Sequence, residues 1–167
     1  LLYLNWLSST EDRSYYKHRI YKKDLFEHAE GLIASSNCIG SVLPRKIFTE
    51  VNLAARSTTY QEAATHIDPN WEQNTHKLIE EYQHVFGEDF YCGANYHGMP
   101  AQKLQLDMVR ELCKKYTIKF LPDNDCHFPS PQDHLAHERL LCISTGKTIH
   151  QRERMRDEGS DLLFGEN

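Results

Sequence analysis

The chain has 167 residues, 26% charged and 40% hydrophobic, which is the size and make-up of one ordinary globular domain. No stretch approaches the ~20 apolar residues of a membrane span, and a net charge of -5, with basic residues scattered apart from small clusters at 17–23 and 147–156, argues against a strong stand-alone grip on nucleic acid. Cys38, Cys92, Cys113, Cys126 and Cys142 are odd in number and have no CxxC spacing, which argues against a disulfide framework and fits a reducing cytoplasm.

In chain order, residues 1–7 are apolar but too short, and too poor in preceding basic residues, for a signal peptide. They read as a helix cut at its front, so the chain is expected to begin inside a larger protein. Residues 22–30 carry Leu25, Phe26 and Ala29 on one face of a short helix, with Gly31 as its expected C-terminal cap. Residues 32–36 read as a buried strand, 37–40 as a turn at its end, and 42–48 as another short helix. Residues 50–70 are polar and irregular and read as a surface excursion with one helical turn. Trp71, Thr75, Leu78, Ile79, Tyr82, Val85 and Phe86 recur at spacings of three and four, an amphipathic helix that Gly87 ends.

Residues 89–95 read as a strand. Pro100 then opens a helix whose apolar stripe is Leu104, Met108, Val109, Leu112 and Tyr116. Residues 118–121 read as a further strand. Ser130-Pro131-Gln132-Asp133 is a helix start, because a serine hydroxyl can accept a free backbone N–H and proline suits the first position. That helix runs through Leu135, Leu140, Leu141 and Ile143 to Gly146. Helices alternating with strands predict an α/β fold of βα units around a parallel sheet, and such folds place their chemistry beyond the C-terminal ends of the strands.

Two candidate sites fall there. Asp125 and His127 are two apart, so an extended segment points both the same way, and a carboxylate beside an imidazole is a partial site for zinc, manganese or iron. The plain alternative is a polar loop, with Asn124 facing away and holding the turn. Cys38 follows the first strand; as a thiolate it would bind metal, and as a thiol it is a small buried hydrophobe. His97, in the turn before Pro100, is a ligand, a donor supporting the ligands, or a turn residue. His134 and His137 share one helix face, either as a metal pair or simply as exposed residues. There is no glycine-rich phosphate loop, no HExxH and no GxSxG. Nor is there the closely spaced acidic cluster that a polymerase needs for two metal ions, so the chain alone is expected to lack polymerase activity.

Several segments together resemble one family. Tyr15-Tyr16-Lys17-His18-Arg19-Ile20 is similar to Y-Y-K-P-R-I, and Glu30 to Gly40 is similar to E-G-L-I-A-L-S-G-C-L-G. Phe86 to Tyr91 matches F-G-E-D-F-Y, His97-Gly98-Met99-Pro100 resembles H-G-x-P, and Asn124 to Phe128 resembles N-D-V-H-Y. Ala136 to Thr148 follows A-H-D-x-L-L-C-I-x-T-G-K-T, and Met155-Arg156 is similar to the start of M-R-F. In this order the segments resemble the PHP (polymerase and histidinol phosphatase) domain of the bacterial-type replicative DNA polymerase III alpha subunit.

The resemblance implies a distorted (β/α)7 barrel, of which residues 1–167 would be a partial PHP domain carrying the later βα units. The first half, with its H-x-H pair, would be missing, and 50–70 would be a surface insertion longer than the family's usual connection. It implies Cys38, Asp125 and His127 as metal ligands, with His97, Asn124 and His137 behind them. The metal would be zinc, manganese or iron in the intact domain, and the parent polymerase would use magnesium. Implied partners are the remainder of the alpha subunit, DNA through the parent protein, and a separate proofreading exonuclease; no membrane is implied.

Departures from the family pattern are Leu121-Pro122-Asp123 for V-A-T, Cys92-Gly93 for L-E, and Asn37 for a glycine. Three functions follow as alternatives. One is a PHP site supporting metal-dependent 3′-5′ exonuclease or phosphoesterase chemistry in a DNA-replication enzyme. Another is a non-catalytic module that scaffolds the polymerase. The last is a stand-alone PHP phosphatase, against which the Leu140 to Thr148 segment speaks. A half-barrel with open strand edges is expected to be marginally stable alone.

Overall fold

Three short strands lie side by side in one parallel sheet: β1 (Ala34–Ser36), β2 (Phe90–Ala94) and β3 (Phe120–Pro122), in that order. The computed structural model describes residues 1–14, 17–151 and 153. Tyr15, Tyr16, Met155 and Arg156, which carry parts of two resembling segments, lie outside them, as does part of the 147–156 basic cluster.

Around the sheet run eight α-helices among the described residues: α1 (Leu2–Ser8), α2 (Lys22–Glu27), α3 (Pro44–Ile47), α4 (Val51–Ala54), α5 (Tyr60–Ala64), α6 (Trp71–Phe86), α7 (Pro100–Tyr116) and α8 (His134–Thr145). The architecture is α/β, and none of these helices is long and apolar enough to cross a membrane.

β2 is the middle strand. It pairs with β1 from Ala34↔Phe90 to Ser36↔Cys92, and with β3 from Cys92↔Phe120 to Ala94↔Pro122. Its residues are the most buried of the three strands, with Phe90, Cys92 and Ala94 all shielded. The segment β2–α7–β3 is one βαβ unit, the connection that parallel neighbours require. α7 begins with Pro100 at its first position and buries Leu104, Val109 and Leu112. It stops at Thr117, which takes a left-handed conformation at φ 55 while its N–H bonds Cys113. α6 buries Thr75, Ile79 and Phe86, and Gly87 ends it at φ 54 and ψ -124, a backbone conformation that favours glycine. Leu43 and Ile47 of the α3 region complete the core with Ile79, Phe90, Val109 and Leu112.

The structure departs from the sequence reading in five places. α2 ends at Glu27 with His28 as its cap, its ring bonded to the Asp24 carbonyl at 2.9 Å; Gly31, at φ 74, belongs to the turn beyond. β1 starts only at Ala34 and has a neighbour on one side among the described residues, so Ile33, expected in a buried strand, is 73% exposed.

Residues 50–70, expected as an irregular surface stretch with one helical turn, hold the two short helices α4 and α5; most of these residues are exposed, while some side chains turn inward. Val51, Ala54 and Ala63 join the core, and an antiparallel bridge links Phe48 to Ile67. Thr59 caps α5 by accepting the Glu62 N–H at 3.1 Å, and the Glu62 carboxylate accepts the Thr58 N–H at 2.8 Å. This local bonding replaces the hydrophobic periodicity that the sequence lacks there. β3 ends at Pro122 and not Leu121, because an edge strand tolerates a residue without an N–H donor. The Ser130 hydroxyl donates to the Asp133 carboxylate at 2.5 Å and the Ser130 carbonyl accepts the Asp133 N–H at 3.0 Å, so a single 3-10 turn over Pro131–Asp133 precedes α8.

Candidate functional site

All three strands point the same way, so the segments that leave their C-terminal ends share one rim of the sheet. Asn37 and Cys38 leave β1, Asn95 leaves β2, and Asp123 to His127 leave β3.

The Cys38 loop is folded back on its strand. The Ser36 hydroxyl meets the Ser41 hydroxyl at 2.9 Å and accepts the Leu43 N–H at 3.3 Å, and the Ser41 N–H donates to the Cys38 carbonyl at 2.9 Å. From α7, the fully buried Gln105 donates to the Asn37 carbonyl at 2.8 Å and ties the loop to the helix behind the sheet. The Cys38 thiol accepts the Gly40 N–H at 3.4 Å. Its pKa is pushed above the ordinary value, first by burial and further by the Asp125 and Asp123 carboxylates, while the Gly40 N–H opposes the shift. At neutral pH it is a thiol, in reach of Asp125.

Asp125 sits at φ 50, in the left-handed region that few non-glycine residues occupy. Asn95, 1% exposed, donates from Nδ2 to Asp125 Oδ2 at 3.1 Å. The other carboxylate oxygen lies 3.5 Å from His127 Nε2, too long for a strong hydrogen bond. The His127 ring meets His137 of α8 edge-on, with centroids 5.3 Å apart, and buried Phe128 packs against both His134 and His137. Cys38, Asp125, His127 and His137 therefore form one chain of neighbours across the rim.

Asn124, half-buried between Asp123 and Asp125, enters none of these bonds. His97 stands in the turn after β2; its backbone N–H donates to the Gln102 side chain at 2.8 Å, and both ring nitrogens are buried without a hydrogen-bond partner among the described residues.

Thiol, carboxylate and imidazole are the donor types that zinc, manganese and iron take. The number of donors falls short: among the described residues no group of three or more His, Cys, Asp or Glu side chains is arranged to hold a metal ion. The donor set fits one side of a metal site and not a whole one.

Sequence reasoning missed three features of this rim. Asn95 and Gln105 were read only as parts of a strand and a helix, because an amide announces no chemistry until the fold sets it beside a partner. The third is the pairing of Asn37 with Gly93. A Cβ on Gly93 would stand 2.0 Å from Asn37 Oδ1 and 2.2 Å from the Leu121 carbonyl. The two departures from the family pattern, Asn37 for glycine and Gly93 for glutamate, are thus one spatial exchange: the asparagine side chain fills the room that a side chain at 93 would need.

No family model matches the chain. It is 32% identical over 144 residues to the DNA polymerase III subunit alpha of Helicobacter pylori strain 26695, covering 85% of this chain and 11% of that protein. It is 33% identical over 156 residues to that of Campylobacter jejuni, covering 93% and 12%. With the Thermus aquaticus subunit it shares 34% over 143 residues, covering 85% and 10%. The chain spans about a tenth of the length of the curated relatives it matches.

Proposed function

Homologues of this chain are DNA polymerase III alpha subunits, and we propose that it is the part of such a subunit that carries the later βα units of a (β/α)7 PHP barrel. One observation carries the reading: Cys38, Asp125 and His127, which stand 89 residues apart in sequence at their extremes (127 minus 38), meet at one rim of a parallel sheet. Cys38, Asp125 and His127 would hold one side of a divalent metal site, with His97, Asn124 and His137 behind them, and the remaining ligands would come from elsewhere in the subunit. Bound there, zinc, manganese or iron would polarise a phosphodiester and lower the pKa of a water. The residues of this chain would orient the site: His137 packs against the His127 ring, Asn95 holds Asp125, and the Ser36–Ser41 contact holds the Cys38 loop. In the whole protein this site would support 3′-5′ exonuclease or phosphoesterase chemistry beside a magnesium-dependent polymerase that binds DNA.

A second reading is favoured by the Asn37–Gly93 exchange, which leaves an amide where the family pattern has a carboxylate. Under it the domain is a non-catalytic scaffold for the polymerase and a dock for a proofreading exonuclease. Metal content of the natural full-length protein, measured by mass spectrometry beside its Asp125→Ala/His127→Ala variant, separates the two. Metal lost in the variant is the outcome expected of the ligand reading. Equal or zero metal in both forms would overturn it and leave the scaffold.

A further inference from the structure

We propose that Asn95 is a positioning residue that fixes the Asp125 carboxylate for a divalent cation; this rests on the reading of Asp125 as a ligand. Asn95 follows directly on β2, the central strand, and is 1% exposed, so its amide has little freedom. Asp125 is on a loop, at φ 50, a left-handed backbone conformation that few non-glycine residues take. The hydrogen bond of 3.1 Å between them ties the loop to the end of the central strand of the sheet.

Its polarity is set by chemistry. An ionised carboxylate only accepts, so the amide must present its NH2 end to Asp125. Asn95 Oδ1 is then left buried without a donor among the described residues. An apolar side chain at 95 would avoid that orphaned oxygen, so the contact with Asp125 is what offsets it. With Oδ2 engaged by Asn95, Oδ1 is the oxygen turned to His127, and the two groups stand 3.5 Å apart, with no strong bond between them for a cation to break. A loop ligand held from behind by a strand-borne donor is pre-organised in the way metal ligands require.

The test uses the natural full-length protein with Asn95→Ala, Asn95→Asp, Asp125→Ala and the Asn95→Ala/Asp125→Ala double variant. Asn95→Asp keeps the shape and removes the donor, so it carries the comparison if the alanine variant does not fold. After stripping with chelator, thermal unfolding is expected to be non-additive, the double variant losing less than the sum of the single losses. Additive losses would overturn the proposal.

Cobalt(II) is then titrated as the probe, followed by its visible absorption. Asn95→Ala and Asn95→Asp are expected to weaken binding by about 10–100-fold, with no further loss when Asn95→Ala is added to Asp125→Ala. Cobalt binding lost in Asp125→Ala but intact in both Asn95 variants would overturn the proposal and leave the ligand reading standing. Binding untouched by Asp125→Ala would remove the ligand reading, and with it the cation for which Asn95 is proposed to position Asp125.

Discussion

α7 and α8 both carry apolar residues at helical spacing, yet they use them in opposite ways. α7 turns Leu104, Val109 and Leu112 into the core against β2 and α5. α8 leaves Leu135, Leu140 and Ile143 exposed and buries only Glu138 and Cys142. An apolar stripe states that a helix face wants cover; it does not state what covers it. α7 finds its cover within the chain, between two strands it connects. α8 comes after the last strand, and its apolar residues have no such layer among the described residues.

The largest expected effect sits on the α7 side. Leu112, 2% exposed, is one of the larger side chains of the core, and Leu112→Ala should cost about 2–5 kcal/mol through lost burial and a residual cavity. Urea unfolding of the chain measures it. A loss below ~1 kcal/mol would mean that the core collapses around the gap, and α7 would then differ less from α8 than its burial implies.

How much of this was legible in advance follows the same division. α6 and α7 were readable nearly to the residue, since sixteen or seventeen residues of 3.6-period pattern carry a strong signal and Gly87 and Pro100 mark its ends. α4 and α5 were not, because four or five residues are too few to show a period and their order comes from Thr58, Thr59 and Glu62 bonding one another's backbone. The rim was legible in its titratable members, Cys38, Asp125 and His127, whose types announce chemistry. Asn95, Gln105 and the Asn37–Gly93 contact were not, since amides and glycines declare nothing until strand register sets them beside a partner. His97 lies between: its place at a strand end was foreseen, while the burial of both its ring nitrogens without a partner among the described residues was not.

A smaller effect belongs to the central strand at Gly93. Gly93→Ala puts a Cβ against both the Asn37 amide and the Leu121 carbonyl, and overpacking of this kind costs about 1–3 kcal/mol. Adding Asn37→Gly should recover part of the loss, because it clears the side chain at 2.0 Å and leaves the backbone oxygen at 2.2 Å. Full recovery in urea unfolding would show that β3 yields easily, and no recovery would show that the strand contact alone decides.

The smallest effect is expected on α8, and it bears most directly on the proposed parent. Ile143 is 77% exposed, so Ile143→Ser in this chain should change stability by no more than about 0.5 kcal/mol. If the remainder of an alpha subunit packs on α8, the same substitution in the natural full-length protein removes a buried side chain worth about 1.5–3 kcal/mol. A change that is silent in the chain and costly in the full-length protein makes the α8 face an internal surface, and the contrast with α7 becomes one of which part of the polypeptide supplies the cover. A change silent in both makes Ile143 a solvent-facing residue of the full-length protein too, because a covered isoleucine cannot become a serine without loss.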